Sequence, residues 1–171
     1  IYNKKVYTNT GKLVAEEINE GDTVLECACG TGAITEYIAP KSVFVVAIDY
    51  SKGMLKKAYK KCRKYGNVKV QYAEMHRIRC RDERFDAVVA GNVLHLLDKP
   101  EAVLNELMRV CRKGGKVIVP TYINDQENSS RKAARMLKFM GADFKRQFTL
   151  ESYKQFFSSL GYDNVKYKIA D

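Results

Sequence analysis

The chain has 171 residues, a formal net charge of +10, 46% hydrophobic and 29% charged residues. This composition excludes a disordered polymer, no apolar run approaches the ~20 residues of a membrane-spanning helix, and the length suits one domain, 1–171, with an adequate core. The charge admits an anionic partner: nucleic acid, an anionic membrane surface or an anionic substrate.

In chain order, Asn9 or Thr10 is placed to cap a helix whose apolar positions Leu13, Val14 and Ile18 recur at helical spacing, and Gly21 ends it. Val24 to Glu26 is a short strand. Ala33 to Ala39 is a helix stopped at Pro40. The run Ser42 to Ile48 is β-branched and aromatic without a break, which suits a strand buried on both faces of a parallel sheet, and it ends at Asp49. Ser51 caps the next helix, with Met54, Leu55 and Ala58 inward and Gly66 beyond its end. Val68–Tyr72 and Phe85–Ala90 are further strands. Pro100 to Arg112 reads as a helix, Gly114-Gly115 as a turn and Lys116 to Pro120 as a fifth strand.

Strands alternating with crossover helices predict an α/β fold: a doubly wound, mostly parallel sheet with helices on both faces. Asn124 to Phe148 carries a looser amphipathic pattern and reads as an insertion, a lid-like segment over 124–148 at the edge of the sheet. A helix over Leu150–Leu160 and an alternating strand over Val165–Ile169 close the chain.

The five cysteines are an odd number in a chain too long to need covalent staples. They read as reduced cytosolic thiols, and no basic–apolar–cleavage pattern opens the chain, so the expected compartment is the cytoplasm. Cys27-x-Cys29 lacks the two-residue spacer of a zinc or redox pair and reads as small buried side chains, with no metal site expected. Lys52, Lys56, Lys57, Lys60, Lys61, Arg63 and Lys64 fall on one predicted helix and read as its solvated face.

The chemistry concentrates in Val24-Leu25-Glu26-Cys27-Ala28-Cys29-Gly30-Thr31-Gly32-Ala33-Ile34, a strand, a small-residue turn and a helix start. Gly30 and Gly32 permit positive φ and close ligand approach, and the helix N-terminus directs free N–H groups back at the loop. A dinucleotide fingerprint, G-x-G-x-x-G, fails at Thr35, and Glu26 would repel a pyrophosphate. A carboxylate at that point suits a cationic group such as an α-amino group. A glycine turn with no ligand is the alternative. Asp49 follows Glu26 by 23 residues and ends the adjacent strand, beside the glycine loop, where a carboxylate accepts from both hydroxyls of a ribose.

These motifs resemble those of the class I S-adenosylmethionine-dependent methyltransferases. Glu26-Cys27-Ala28-Cys29-Gly30-Thr31-Gly32 is similar to motif I of that family, with Ala28 where the first glycine usually stands. Asp49-Tyr50-Ser51 with Gly53-Met54-Leu55 resembles the second-strand motif, and Ala73-Glu74-Met75 loosely resembles the acidic pair near the adenine. Phe85 to Val89 with the loop through Leu97, and Val110 to Gly115, resemble the fourth strand and the turn into the fifth. The best match is to the branch containing ubiquinone and menaquinone C-methyltransferases. There the acidic-Leu-Pro stretch before the fourth strand is replaced here by the basic run Met75 to Arg81.

The resemblance implies a Rossmann-like fold whose final antiparallel strand is not evident before Asp171, with S-adenosyl-L-methionine as cofactor. It implies cofactor binding by Glu26, Ala28, Cys29, Gly30, Thr31, Gly32, Asp49, Tyr50, Met54, Glu74, Met75 and Gly91. Transfer of an activated methyl is mostly positioning and desolvation, and His95, just past the fourth strand, is the candidate base where the acceptor carries a proton. A packing role in Leu94-His95-Leu96 is the alternative, and His76 is a weaker candidate. The expected partner is a small-molecule methyl acceptor. A nucleic-acid (RNA) methyltransferase is the alternative suggested by charge, disfavoured because the loop Gly91-Asn92-Val93-Leu94 lacks the Asp/Asn-Pro-Pro-aromatic pattern that stacks a base. A non-catalytic S-adenosylmethionine-binding module is a second alternative.

Overall fold

A computed structural model describes residues 4–123 and 145–170. Five strands, β1 Thr23–Cys27, β2 Phe44–Asp49, β3 Val68–Tyr72, β4 Phe85–Ala90 and β5 Cys111–Ile118, form one sheet in the order β3-β2-β1-β4-β5. All four pairings are parallel. The order reverses between β2 and β4 on either side of β1, so the ends of β1, β2 and β4 open a crevice at their carboxyl side.

The alternation of side chains splits the core into two layers. Val24, Val45, Ala87 and Val89 face α1 (Lys4–Glu17) and α2 (Thr35–Ile38). Ala47 with Val68 and Val70 faces α3 (Lys52–Cys62) in the same layer. Leu25, Cys27, Val88 and Ala90 face α4 (Pro100–Val110) and α5 (Leu150–Ser159) on the other side. Continuous apolar runs in β2 and β4 are thus explained by helices on both faces. The described cysteines are free thiols, four of them buried. Among the described residues no helix is long and apolar enough to cross a membrane.

Several elements differ from their sequence reading. The first helix starts at Lys4, so Asn9 and Thr10 lie inside it. Packing overrides capping there: Gly11 lies so close to the Tyr37 ring that a Cβ would stand 2.3 Å away, and the Tyr37 hydroxyl donates to Thr8 Oγ1 at 3.1 Å. Helix α2 is only four residues long, too short to present much of a dipole to the preceding loop. Helix α4 ends at Val110, and β5 begins at Cys111 opposite Phe85. A register shift then absorbs Arg112 to Gly115 before Lys116 pairs with Ala87, so Gly114-Gly115 lies within a bulged strand.

The link between β3 and β4 has no helix. Arg109 braces it instead, donating to the carbonyls of Ile78 and Cys80 and to Asp82 and Glu106. Val165–Ile169 forms no strand: Val165 and Tyr167 lie on the core, and Lys168 reaches Glu17 at 2.7 Å, so side chains hold this stretch. The lid-like insertion lies outside the described residues except for its final residues, 145–148. Ile123 bridges Phe148, which brings its two feet together.

Candidate functional site

The glycine loop leaves β1 at Cys27, level with Ile48 of β2 and Ala90 of β4. Its backbone alternates into the left-handed region at Ala28 (φ 52°), Gly30 (φ 55°) and Gly32 (φ 76°). The family position that usually holds glycine therefore needs one here, and Ala28 sits in it with strain of about 1–2 kcal/mol.

The other two glycines serve different ends. A Cβ at Gly32 would stand 2.8 Å from Cys62 Sγ, so Gly32 lets α3 close on the loop. A Cβ at Gly30 would meet nothing within 4 Å, so Gly30 keeps its face open to a ligand. Gly91, at the end of β4, is a packing glycine, since a Cβ there would lie 2.5 Å from Ile34 Cδ1.

Asp49 is placed where the spacing predicts. Its two carboxylate oxygens accept from Gly30 N at 2.9 Å and Ser51 N at 2.8 Å, tying the loop to the β2 turn. Ser51 caps α3, accepting from Met54 N. Tyr50 is 73% exposed and Met54 40% exposed, both beside Asp49 at the crevice mouth. Cys29 is buried, donating its N–H to Ile48 O, and Thr31 is half-buried in the loop.

Glu26 is more deeply buried than Asp49. It is 2% exposed and lies beneath the loop, where Thr35 Oγ1 donates to its Oε2 at 2.5 Å. Burial, with help from nearby Asp49, pushes its pKa up to about 8 against hydrogen bonds from Thr35 that lower it. The raised pKa favours its protonated form at neutral pH, and through Thr35 it braces the loop from beneath. Glu74 lies farther out, past β3, engaged by His76 Nε2 at 3.0 Å and the Tyr72 hydroxyl at 3.3 Å. Met75 packs against the core layer of α4 and α5.

His95 occupies a 3₁₀ turn, Leu94–Leu96, on the far side of the crevice. It is buried, its Nδ1 lies 3.3 Å from Thr121 Oγ1, and burial drops its pKa to about 4. Its carbonyl accepts from Lys145 N and Arg146 N, the foot of the insertion. Tyr122 joins this wall, with its ring centroid 6.3 Å from His95 and 6.2 Å from Tyr7 of α1.

Three residues were missed in the sequence. Thr35, which breaks the dinucleotide glycine pattern, is a buried polar residue of α2 and donates to Glu26. Asn92 takes φ 54° and donates its N–H to Pro120 O at 2.8 Å, and Asn in a Gly-Asn turn was its signal. Thr121 carried none. The hollow formed by Asp82, Met108, Arg109, Cys111 and their neighbours opens at the opposite ends of the strands, away from every motif above.

Residues 25–119 match the family model described as a methyltransferase domain. The chain is 36% identical over 121 residues to a phosphatidylethanolamine N-methyltransferase of Cereibacter sphaeroides, covering 67% of this chain and 58% of that protein. It is 31% identical over 99 residues to a demethylmenaquinone methyltransferase of Clavibacter sepedonicus, covering 58% and 40%. The chain thus spans only part of the length of these relatives. In fold it is similar to a SAM-dependent methyltransferase from Aquifex aeolicus, with a TM-score of 0.71 at 21% identity, covering 92% of this chain and 80% of that one.

Proposed function

This chain belongs to the methyltransferase domain family, and on that premise we propose that it transfers a methyl group from S-adenosylmethionine to a small-molecule acceptor. The observation that carries the reading is the open face of Gly30 set against Asp49 across the ends of β1 and β2. The residues fit the cofactor. Each Asp49 oxygen uses one lone pair on a backbone N–H and keeps another for a ribose hydroxyl. Tyr50 and Met54 stand exposed beside it as an apolar platform for the adenine. Ala28, Cys29, Thr31 and Gly32 shape the loop that borders the methionine part, Gly91 closes the β4 side, and Glu74 and Met75 mark the outer adenine edge.

When bound, the cofactor supplies an electrophilic methyl on a sulfonium. Positioning and exclusion of water are then the protein's main tasks. Glu26 and Thr35 keep the loop's shape from below. His95 stays neutral at physiological pH and so can accept a hydrogen bond from an acceptor; as the candidate base it is weakened by the same burial. The segment 124–148, with the residues before Thr10, serves as a lid on this wall; the contacts of Tyr7 with Tyr122 and of His95 O with Lys145 N support this. The acceptors named for the relatives, phosphatidylethanolamine and demethylmenaquinone, support a small molecule. The quinone-methylating branch and a cytoplasmic setting enter this proposal from the sequence motifs and the free cysteines.

Calorimetric titration with S-adenosylmethionine and its demethylated product tests the reading. Asp49→Ala is expected to cost about 2–4 kcal/mol of affinity, for a lost charge-assisted hydrogen-bond pair. Unchanged affinity in a folded variant would sink the ribose assignment. Labelled cofactor incubated with lipid and quinone fractions then identifies the acceptor.

A further inference from the structure

Between Tyr50 and Ala73 the chain carries eight cations, Lys52, Lys56, Lys57, Lys60, Lys61, Arg63, Lys64 and Lys69, and no carboxylate. The structure shows how they are displayed. Ala58 and Cys62 are buried against the sheet, and Lys52, Lys56, Lys60 and Arg63 recur at helical spacing on the opposite side of α3. All four are exposed, as are Lys57, Lys64 and, on edge strand β3, Lys69. Lys61 pairs with Glu36 at 3.4 Å and Lys64 lies over the Tyr65 ring. The remaining six have no ion pair among the described residues. Tyr59 lies within the stripe, 63% exposed.

We propose that this outer face of α3, extended by Lys69 of β3, docks on an anionic phospholipid surface. Charge complementarity requires a polyanion, and three features select a lipid surface over nucleic acid. The face is a convex helix about 16 Å long, not a groove that tracks a strand. Seven of its eight cations are lysines, compact hydrated charges suited to a diffuse field of headgroups, where phosphate recognition in nucleic acid favours the forked guanidinium. Its one well-exposed aromatic is a tyrosine, whose ring and hydroxyl suit the boundary between headgroups and acyl chains. Helix α3 also starts at Lys52, three residues after Asp49, so docking through this helix brings the crevice mouth to the surface. The inference goes beyond methyl transfer and is tested without it.

Co-sedimentation is measured with vesicles of phosphatidylcholine alone and of phosphatidylcholine with phosphatidylglycerol, with and without raised salt, and with single-stranded and hairpin RNA as competitors. The expected result is partitioning onto the anionic vesicles only, abolished by salt. Lys56→Glu with Lys60→Glu should lower it at least about tenfold. Lys99→Glu with Lys113→Glu, the same change of net charge on other elements, should change it by less than about twofold. Equal loss in both double variants would reduce the effect to net charge and overturn the proposal. So would absence of vesicle binding, or RNA binding that depends on Lys56 and Lys60 and displaces the vesicles. Thermal melting and cofactor affinity of the variants confirm that each one folds.

Discussion

The two ends of the sheet treat their acids in opposite ways. At the amino ends of the strands three paired carboxylates are held below their usual range. Asp86 accepts from Thr23 N and Arg112 Nε, which keep its carboxyl below the usual range. Glu17 sits between Lys168 and Lys116, which pull its pKa down to about 2. Glu106 is lowered by Arg109. At the carboxyl ends two buried groups are instead pushed toward neutrality: Glu26 up to about 8, His95 down to about 4. Left-handed residues occur at both ends: Ala28, Gly30, Gly32 and Asn92 here, and Gly21, Glu83 and Gly114 at the amino ends. The difference therefore lies in charge and not in backbone strain: one end pairs its acids and the other desolvates Glu26 and His95, the pattern expected where a ligand site is built.

The largest effect that would break this comparison is in pH. Glu26 has a folded pKa of about 8, above its ordinary value near 4.5, so the native state binds the extra proton and its stabilisation is lost as pH rises from about 4.5 through 8. The local slope reaches about 1.4 kcal/mol per pH unit. Glu17 acts in reverse: its folded pKa is depressed, so its contribution is lost as pH falls from about 4.5 to 2, and solvent screening of this part-exposed acid makes that limb shallow. His95 adds a loss as pH falls from about 6.5 to 4. Denaturant melts across pH should show Glu26→Gln flattening the limb above pH 4.5 and Glu17→Gln flattening only the acid limb. An unchanged alkaline limb in Glu26→Gln would remove the buried-acid reading.

Removing the brace at the other end comes next. Arg109→Ala removes the donor to the Ile78 and Cys80 carbonyls and leaves Glu106 with only the Ile78 N–H, at a cost of about 2 kcal/mol, discounted for the partial exposure of the guanidinium. Urea melts should show that loss while cofactor affinity holds within about threefold. A large fall in affinity would mean that the two ends are coupled.

The smallest effect sharpens the picture of strain. Ala28→Gly relieves a left-handed alanine, partly offset by the greater freedom of glycine in the unfolded chain, for a net gain of about 0.5–1 kcal/mol. A shift in chemical denaturation midpoint checks it. Destabilisation would show that Ala28 Cβ makes contacts worth more than the strain.

Much of the site was legible because it is written locally. The β-branched runs of β2 and β4, the capping Ser51 and the small-residue turn after β1 each depend on neighbours in sequence, and parallel pairing then brings Asp49 beside Gly30. The misreadings share one cause. Asn9 and Thr10 look like caps until Tyr37 packs on Gly11, and Gly114-Gly115 looks like a turn until β5 pairs with Phe85 above it.

Sequence alone determined the order of strands and helices, the position of the glycine loop and the acid at the end of β2, because period, turn chemistry and spacing are properties of contiguous residues. Tertiary structure alone decided that Glu26 is buried under Thr35 with its pKa raised, that His95 is neutral beside Thr121 and that Ala28 is strained. Desolvation and charge sum over every group that folding brings near. Those neighbours come from elements tens of residues apart, and no local pattern records them.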